Sequence, residues 1–344
     1  MKPKVLVIAT SAKSRGGIAT VVSAFRNTDV WTEYNCRWIE SHIDGGKLRK
    51  FWKFSKAFFV CVFLLFKYQI IHIHVSTRVS ANRKYFFYRL AKLYRRKIII
   101  HLHCGSQLFD IWNSKYEDMF NGADRCLVLS QSIKDIIVSR IGREDNVEVL
   151  YNPCPIVDEQ PSYLAREKKI LFAATLYKEK GYLDLIEAFA KVHAKHLEWQ
   201  LILAGNGDQT EGLTLSRNLG VAESVKFLGW VSGEAKAREF STASIFCLPS
   251  YAEGFPMAVL DAWAYGLPVI TTPVGGIPDI VIDGDNGLLF TPGDVDGLAN
   301  RLSTLIENGD LRSELSEKAI SLASTIFNID TIASQLKRVY NNIF

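Results

Sequence analysis

Glu253-Gly254-Phe255-Pro256-Met257-Ala258-Val259-Leu260-Asp261-Ala262-Trp263-Ala264-Tyr265-Gly266-Leu267-Pro268-Val269-Ile270 is the most informative run of the chain. A helix is expected from Pro256 to Tyr265 and a short apolar strand at Pro268–Thr271. Proline suits the first helical turn because its missing N–H is not needed there. The amides of residues 257 and 258 then point outward, and with the helix dipole they form a site for an anion. Glu253 stands in the loop before the helix. Asp261 follows eight residues later, about two turns or ~12 Å along the axis. Two carboxylates at that spacing can bracket different parts of one ligand.

The same alternation of strand and helix extends outward in both directions. Upstream lie strands at Lys169–Ala173, Gln200–Ala204, Val225–Leu228 and Ile245–Leu248, with a helix at Tyr182–His196. Downstream come a short strand at Leu288–Phe290 and amphipathic helices at Val295–Glu307 and Ile329–Tyr340. The first half repeats the pattern. Val5–Ala9, Ile70–Val75, Lys97–Leu102 and Arg125–Leu129 read as buried strands. Ile18–Phe25, Arg83–Arg95 and Gln131–Ile141 read as helices, the last capped by Ser130. Short apolar runs between helices indicate parallel sheets covered on both faces. Asn152-Pro153-Cys154-Pro155 and Pro161 break the pattern, so a linker is expected at about 152–168. The expectation is an α/β chain of two doubly wound, Rossmann-like parallel-sheet domains facing across a cleft. Residues 1–160 form the first domain and 161–325 the second, with 326–344 a terminal helix packing back toward the first.

Composition agrees with two globular cores. The 344 residues are 48% hydrophobic and 22% charged, which excludes disorder, collagen and small disulfide scaffolds. No repeat of fixed period is visible. The six cysteines (Cys36, Cys61, Cys104, Cys126, Cys154, Cys247) show neither C-x-x-C nor zinc spacing, and they read as free thiols of a reducing cytoplasm. The apolar run after Lys2 and Lys4 is too short for a signal peptide. Charge is divided unevenly. Residues 1–160 hold 25 Lys/Arg against 14 Asp/Glu, whereas residues 161–344 hold 16 against 22. From Gly45 to Phe109 there are 14 basic residues and no acidic one. That half is expected to face something anionic.

The run at 253–270 is followed by Gly275-Gly276-Ile277-Pro278-Asp279 and Asp285-Asn286-Gly287-Leu288-Leu289. Together they resemble the retaining glycosyltransferases of family 4, which have the GT-B fold, and in particular the bacterial enzymes of capsule and exopolysaccharide assembly. The hallmark is E-x7-E at a helix start, then G-x-P-V and a G-G-x-P-E loop. The resemblance implies that Glu253 orients the donor sugar, that Asp261 binds the ribose hydroxyls, and that Phe255, Pro256, Met257 and Ala258 lie against the donor. Asp261 departs from the usual Glu and is one methylene shorter. Ala174-Thr175-Leu176-Tyr177-Lys178-Glu179-Lys180-Gly181 resembles the family's G-R-L-x-x-x-K-G loop, whose Arg and Lys clamp the diphosphate. Lys180 is retained, but Thr175 replaces the Arg and supplies one hydroxyl for a charged fork; either Lys178 partly substitutes or leaving-group stabilisation is weaker. Gly16, Gly17 and Gly205 fall at loops where the backbone approaches the donor. Neither glycine loop is a dinucleotide fingerprint. His103 matches the family histidine beside the reacting sugar.

His72/His74 and His101/His103 are i, i+2 pairs, so each pair shares one face of its strand. No Cys, Asp or Glu stands near them in sequence, so no metal is expected there. His72, His74 and Arg78 fall where acceptor contacts belong. Lys47–Lys67 and Lys84–Lys97 interleave cations with aromatics. The longest apolar run, Ala57–Phe66, has ten residues, about half of what a spanning helix needs. Such segments lie on anionic membranes, with Lys50, Lys53, Lys56, Arg95, Arg96 and Lys97 as the contacts. Single-stranded nucleic acid suits the same chemistry, but no nucleic-acid fold signature accompanies it.

The expected activity is therefore metal-independent, retaining transfer of a sugar from a nucleotide sugar (UDP- or GDP-linked) to a lipid-linked glycan or polysaccharide acceptor. It would occur in the cytoplasm at the inner face of the plasma membrane. His103, Glu253 and Lys180 would be the catalytic residues, and no cofactor is called for. A non-catalytic partner subunit or a nucleotide-sugar epimerase of the same fold are the alternatives.

Overall fold

The computed structural model describes residues 2–14, 16–103, 112–158 and 166–344. Arg15, Cys104, Gly105 and Pro161 lie outside them. The chain divides into two compact units, residues 1–153 with 329–344, and residues 154–328.

The first unit is built on β1 (Val5–Thr10), β2 (Arg37–His42), β3 (Ile70–Val75), β4 (Lys97–Leu102), β5 (Arg125–Val128) and β6 (Val147–Val149). All pair in parallel, in the order β2-β1-β3-β4-β5-β6. Its helices are α1 (Gly17–Arg26), α2 (Asp29–Glu33), α3 (Lys47–Leu64), α4 (Arg78–Leu93), α5 (Ser114–Gly122) and α6 (Gln131–Ile141). Strand β3 lies between two neighbours and is buried along its whole length. One of its faces, with Ile71 and Ile73, packs with Ile98, Ile100, Phe87, Tyr88 and Phe120 in the core. The other face carries His72 and His74.

Helix α4 opens five residues before the Arg83 expected from the sequence. Thr77 caps it, its hydroxyl accepting from the Ser80 amide at 3.5 Å. The polar opening turns of α4 concealed this start. The helix stops at Leu93, and Arg95 takes a left-handed turn with φ 52°, so Arg95 and Arg96 are not helical.

The second unit repeats the plan with β7 (Lys169–Ala173), β8 (Gln200–Ala204), β9 (Val225–Gly229), β10 (Ile245–Leu248), β11 (Val269–Thr271) and β12 (Leu288–Leu289). The parallel order is β12-β11-β10-β7-β8-β9. Helices α7 (Tyr182–His193), α8 (Thr210–Asn218), α9 (Gly233–Thr242), α10 (Met257–Ala264), α11 (Val295–Glu307) and α12 (Gly309–Ser324) connect and cover these strands. Strand order jumps at β10-β7, which places the loops after these two strands side by side. Ligands of open α/β sheets bind at such a point.

The last helix, α13 (Ile329–Ile343), belongs to the first unit. It buries Ile332, Leu336, Val339 and Tyr340, and each such side chain contributes roughly 1.5–3 kcal/mol when removed from water. Tyr34 donates its hydroxyl to Asn341 Oδ1 at 2.5 Å. The divisions at Pro153/Cys154 and Asn328/Ile329 differ from the expected spans of 1–160, 161–325 and 326–344. Cys154 already donates its amide to the Phe327 carbonyl at 2.8 Å, tying both ends of the second unit together.

Candidate functional site

In the second unit the loops after β7, β8, β10 and β11 are joined backbone to backbone. Gly181 has φ 69°, and a Cβ there would strike the Pro249 carbonyl. Gly205 sits equally close to the Ala174 carbonyl, and Gly275, at φ 61°, to that of Glu253. Hydrogen bonds complete the joints: Leu176 N–H to Asn206 O at 2.8 Å, Tyr251 N–H to Glu179 O at 2.9 Å, and Gly276 N–H to Gly254 O at 2.9 Å.

This framework brings Lys180 and Glu253 together. Lys180 Nζ donates to Glu253 Oε1 at 2.6 Å, and Ser250 Oγ donates to the same oxygen at 2.6 Å. The Glu253 side chain is only 10% exposed. Phe255 is buried beside it. Pro256 does not occupy the first helical position, as the sequence suggested, but is the capping residue before it, with φ −77° and ψ 97°. Met257 opens α10 instead, and its amide and that of Ala258 have no acceptor within the helix, as first-turn amides do not.

Asp261 lies one turn further along α10. Lys236 Nζ of α9 donates to its Oδ2 at 2.6 Å. Burial raises the Asp261 pKa, and Lys236 opposes that rise. Thr175 is half-buried and its carbonyl accepts from the Tyr177 amide at 2.9 Å. Lys178 does not take the place of the missing Arg, because it is exposed and paired with Glu211 at 2.9 Å.

In the first unit, Gly16 has φ 130° and precedes α1, which begins at Gly17. A Cβ on Gly16 would meet none of the described residues within 4 Å, so glycine is required there by the backbone angle.

The four imidazoles of β3 and β4 stack in a column. Ring centroids are 4.4 Å apart for His72–His74, 4.2 Å for His101–His103 and 5.0 Å for His74–His103. His103 Nε2 and His74 Nδ1 are 2.8 Å apart, and His72 Nδ1 lies 2.8 Å from the Tyr340 hydroxyl. Burial holds all four rings neutral, His101 with its pKa lowered to about 3. The expectation that His72 and His74 touch the acceptor is corrected: both are 1% exposed, locked by Tyr340 and by neighbouring imidazoles. Arg78 is exposed at the start of α4. Ligand atoms of His72, His74 and His101 lie within 4.8 Å of one another. The fit to a dication is poor, because among the described residues no carboxylate acts on these rings and the Lys84 ammonium does act on His74.

Sequence reasoning missed Ser250, Lys236, Tyr340 and Lys84. The first three are single polar residues whose roles come from tertiary neighbours. Lys84 stands in a run of cations and aromatics, yet it is fully buried, and its ammonium donates to Ser80 Oγ at 3.1 Å.

Two six-stranded parallel α/β sheets, each covered by helices, give the chain the GT-B fold of glycosyltransferases. The chain belongs to the family of glycosyl transferases group 1, which it matches over residues 136–322, and residues 6–156 match glycosyltransferase family 4. It is an enzyme of this retaining hexosyltransferase family and transfers a sugar from a nucleotide-sugar donor. It is similar to an uncharacterized glycosyltransferase of Methanocaldococcus jannaschii, 28% identical over 80% of this chain and 75% of that protein. It is 31% identical to the lipopolysaccharide 1,6-galactosyltransferase of Salmonella typhimurium over 58% of this chain and 56% of that one. Anabaena HepE, solved in complex with UDP, superposes with a TM-score of 0.80 at 20% identity, covering 98% of this chain and all of that one.

Proposed function

We propose that the enzyme uses a UDP- or GDP-linked sugar and transfers it, with retention and without a metal, to a lipid-linked glycan or polysaccharide acceptor at the inner face of the plasma membrane. The setting would be capsule or exopolysaccharide assembly. The observation that carries this reading is the outer surface of α3 and α4. Phe51, Trp52, Phe63 and Leu93 are 61%, 65%, 72% and 76% exposed, and Leu48, Phe59, Phe66 and Phe86 are exposed with them. Lys50 and Lys56 stand exposed among these side chains. Large apolar side chains next to cations suit the boundary of an anionic bilayer, where each cation contributes roughly 1 kcal/mol. No helix of the described residues is long and apolar enough to cross a membrane. Lys53 and Lys97 are removed from the expected membrane contacts, since Glu40 and Asp124 pair with them.

For the chemistry, Lys180 and the first amides of α10 would receive the donor diphosphate, Glu253 the sugar and Asp261 the ribose. Gly16 and Gly17 would let the backbone approach the donor. Thr175 would add one hydroxyl, and His103, held by His74, would donate to or accept from a sugar hydroxyl. The UDP complex of HepE supports a uridine donor, and the Salmonella galactosyltransferase supports a lipopolysaccharide-like acceptor. Preorganised charge in a low-dielectric site stabilises a leaving diphosphate without an ion. Vesicle sedimentation tests the membrane reading. Binding to phosphatidylglycerol vesicles, absent with phosphatidylcholine and lost in a Phe51→Ser/Phe63→Ser variant, is expected. Equal binding of variant and wild type would overturn it. Release of nucleotide diphosphate on adding donor to lipid extract, undiminished by excess EDTA, tests the chemistry.

A further inference from the structure

The carboxyl edge of the first sheet holds a group of charges that the donor chemistry leaves unused. Lys84, in the second turn of α4, is completely buried, and Ser80 Oγ is its partner at 3.1 Å. Among the described residues no carboxylate pairs with it. Burial and the adjacent Arg83 lower its pKa to about 7. The Lys84 charge is also felt at His42, His74 and His103, and Arg83 and Lys50 act on His42 as well. Among the described residues the opposing charges are Asp44, 3.9 Å from His42 Nε2 at the surface, and Glu40, which is paired with Lys53 and accepts from Ser11 Oγ at 2.9 Å. Parallel strands bring these groups to one edge. His42 ends β2, its carbonyl accepts from Ser11 at 2.8 Å, and the Ser11 carbonyl in turn accepts from Ser14 at 2.9 Å. Three buried polar atoms in this unit have no hydrogen-bond partner among the described residues: Ser14 Oγ, His42 Nδ1 and Arg83 Nε.

Buried charges in proteins are paired or give up the charge. Here an ammonium, a guanidinium and an imidazole act on one another, and among the described residues no carboxylate pairs with Lys84 or Arg83. We propose that Arg83, Lys84 and His42 form a subsite for the phosphate oxyanion of an anionic acceptor. Two cations and several donors match a tetrahedral, multiply charged oxyanion, the guanidinium as a fork and the ammonium as a point charge. The subsite gives the lipid-linked acceptor of the preceding reading its chemistry, and it rests on that reading for the source of the phosphate.

Thermal shifts of the intact protein and of Lys84→Met, both saturated with UDP to fill the donor site, provide the test. Inorganic phosphate and farnesyl phosphate are the probes. Both are expected to raise the wild-type melting temperature, farnesyl phosphate more at equal concentration. Lys84→Met should need at least fivefold more of either for half the effect, and Arg83→Gln is read in the same way should Lys84→Met not fold. Equal responses of variant and wild type, or no wild-type response to either probe, would overturn the subsite. Equal responses of the wild type to the two probes would overturn its assignment to an acceptor. UDP itself should stabilise wild type and variant alike. Its failure in both would defeat the donor reading alone and leave the phosphate comparison standing.

Discussion

Replacing Lys84 with methionine should make the unliganded enzyme more stable, and the gain should depend on pH in a defined sense. The ammonium has no solvent exposure, and its pKa falls from 10.5 to about 7. At about 1.36 kcal/mol per pH unit, that gap corresponds to roughly 5 kcal/mol. Below pH 7 the folded and unfolded chains both hold the proton, so the full cost of burying the charge is present. Between pH 7 and 10.5 the unfolded chain binds more protons than the folded one, and stability rises with pH. Above that range this cost disappears. Methionine keeps the length of the side chain and cannot titrate, but it gives up the Ser80 hydrogen bond, worth about 1 kcal/mol. Lys84→Met should therefore exceed wild type by about 3–4 kcal/mol at pH 6, and its advantage should shrink by about 2 kcal/mol between pH 7 and pH 9. Urea denaturation of both proteins at each pH measures the difference, in which all other titrating groups cancel. A variant less stable than wild type, with parallel curves across this range, would show that Lys84 already has its counter-charge in the folded protein.

Lys180→Ala and Glu253→Gln should each lower turnover by roughly 10²–10³ with circular dichroism unchanged. The double variant should fall little further, because the two residues act as one ion pair; full turnover in either single variant would reject the site. Gly275→Ala should destabilise the second unit by roughly 1–3 kcal/mol, since it places a Cβ at positive φ against the Glu253 carbonyl, and a melting curve that does not move would refute the contact. Lys236→Ala leaves Asp261 half-buried and unpaired and should cost about 3 kcal/mol. Adding Asp261→Asn should restore most of that loss in the same chemical denaturation assay.

The strands were legible because parallel sheets bury both faces and so demand continuous apolar runs. Val5–Thr10 and Ile70–Val75 meet that demand. Edge strand β2 did not announce itself, since Arg37-Trp38-Ile39-Glu40-Ser41-His42 alternates with polar residues. Helices α8 and α9 were equally quiet, being mostly polar and each burying two residues. In the site, the pairing of Glu253 with a helix start was readable from spacing alone, as was the shared face of His101 and His103. Lys84 was not. In sequence it stands among cations and aromatics that do reach the surface, and only the packing of α4 on β3 and β4 separates it from Arg89 and Lys92. A local pattern shows which residues are charged, but burial is decided by the neighbours the fold supplies.

The two units hold their functional residues by different physical means, and this bears on Thr175. In the second unit the loops are fixed by glycines abutting carbonyls and by main-chain hydrogen bonds such as Leu176 to Asn206. None of these joints involves the side chain at position 175. Exchanging an arginine for threonine there removes a charge yet leaves the loop, and with it the position of Lys180, in place. In the proposed mechanism the burden of the diphosphate would then fall on one lysine and two helix amides. In the first unit the reverse holds. Lys84 and Arg83 are charges placed by packing with no carboxylate partner among the described residues, so the fold bears an electrostatic cost that the proposed acceptor phosphate would relieve. An enzyme poor in charge at the proposed donor site and rich in it in the first unit would derive more of its grip on substrate from the acceptor. That division is consistent with the +11 and −6 balance of its two halves.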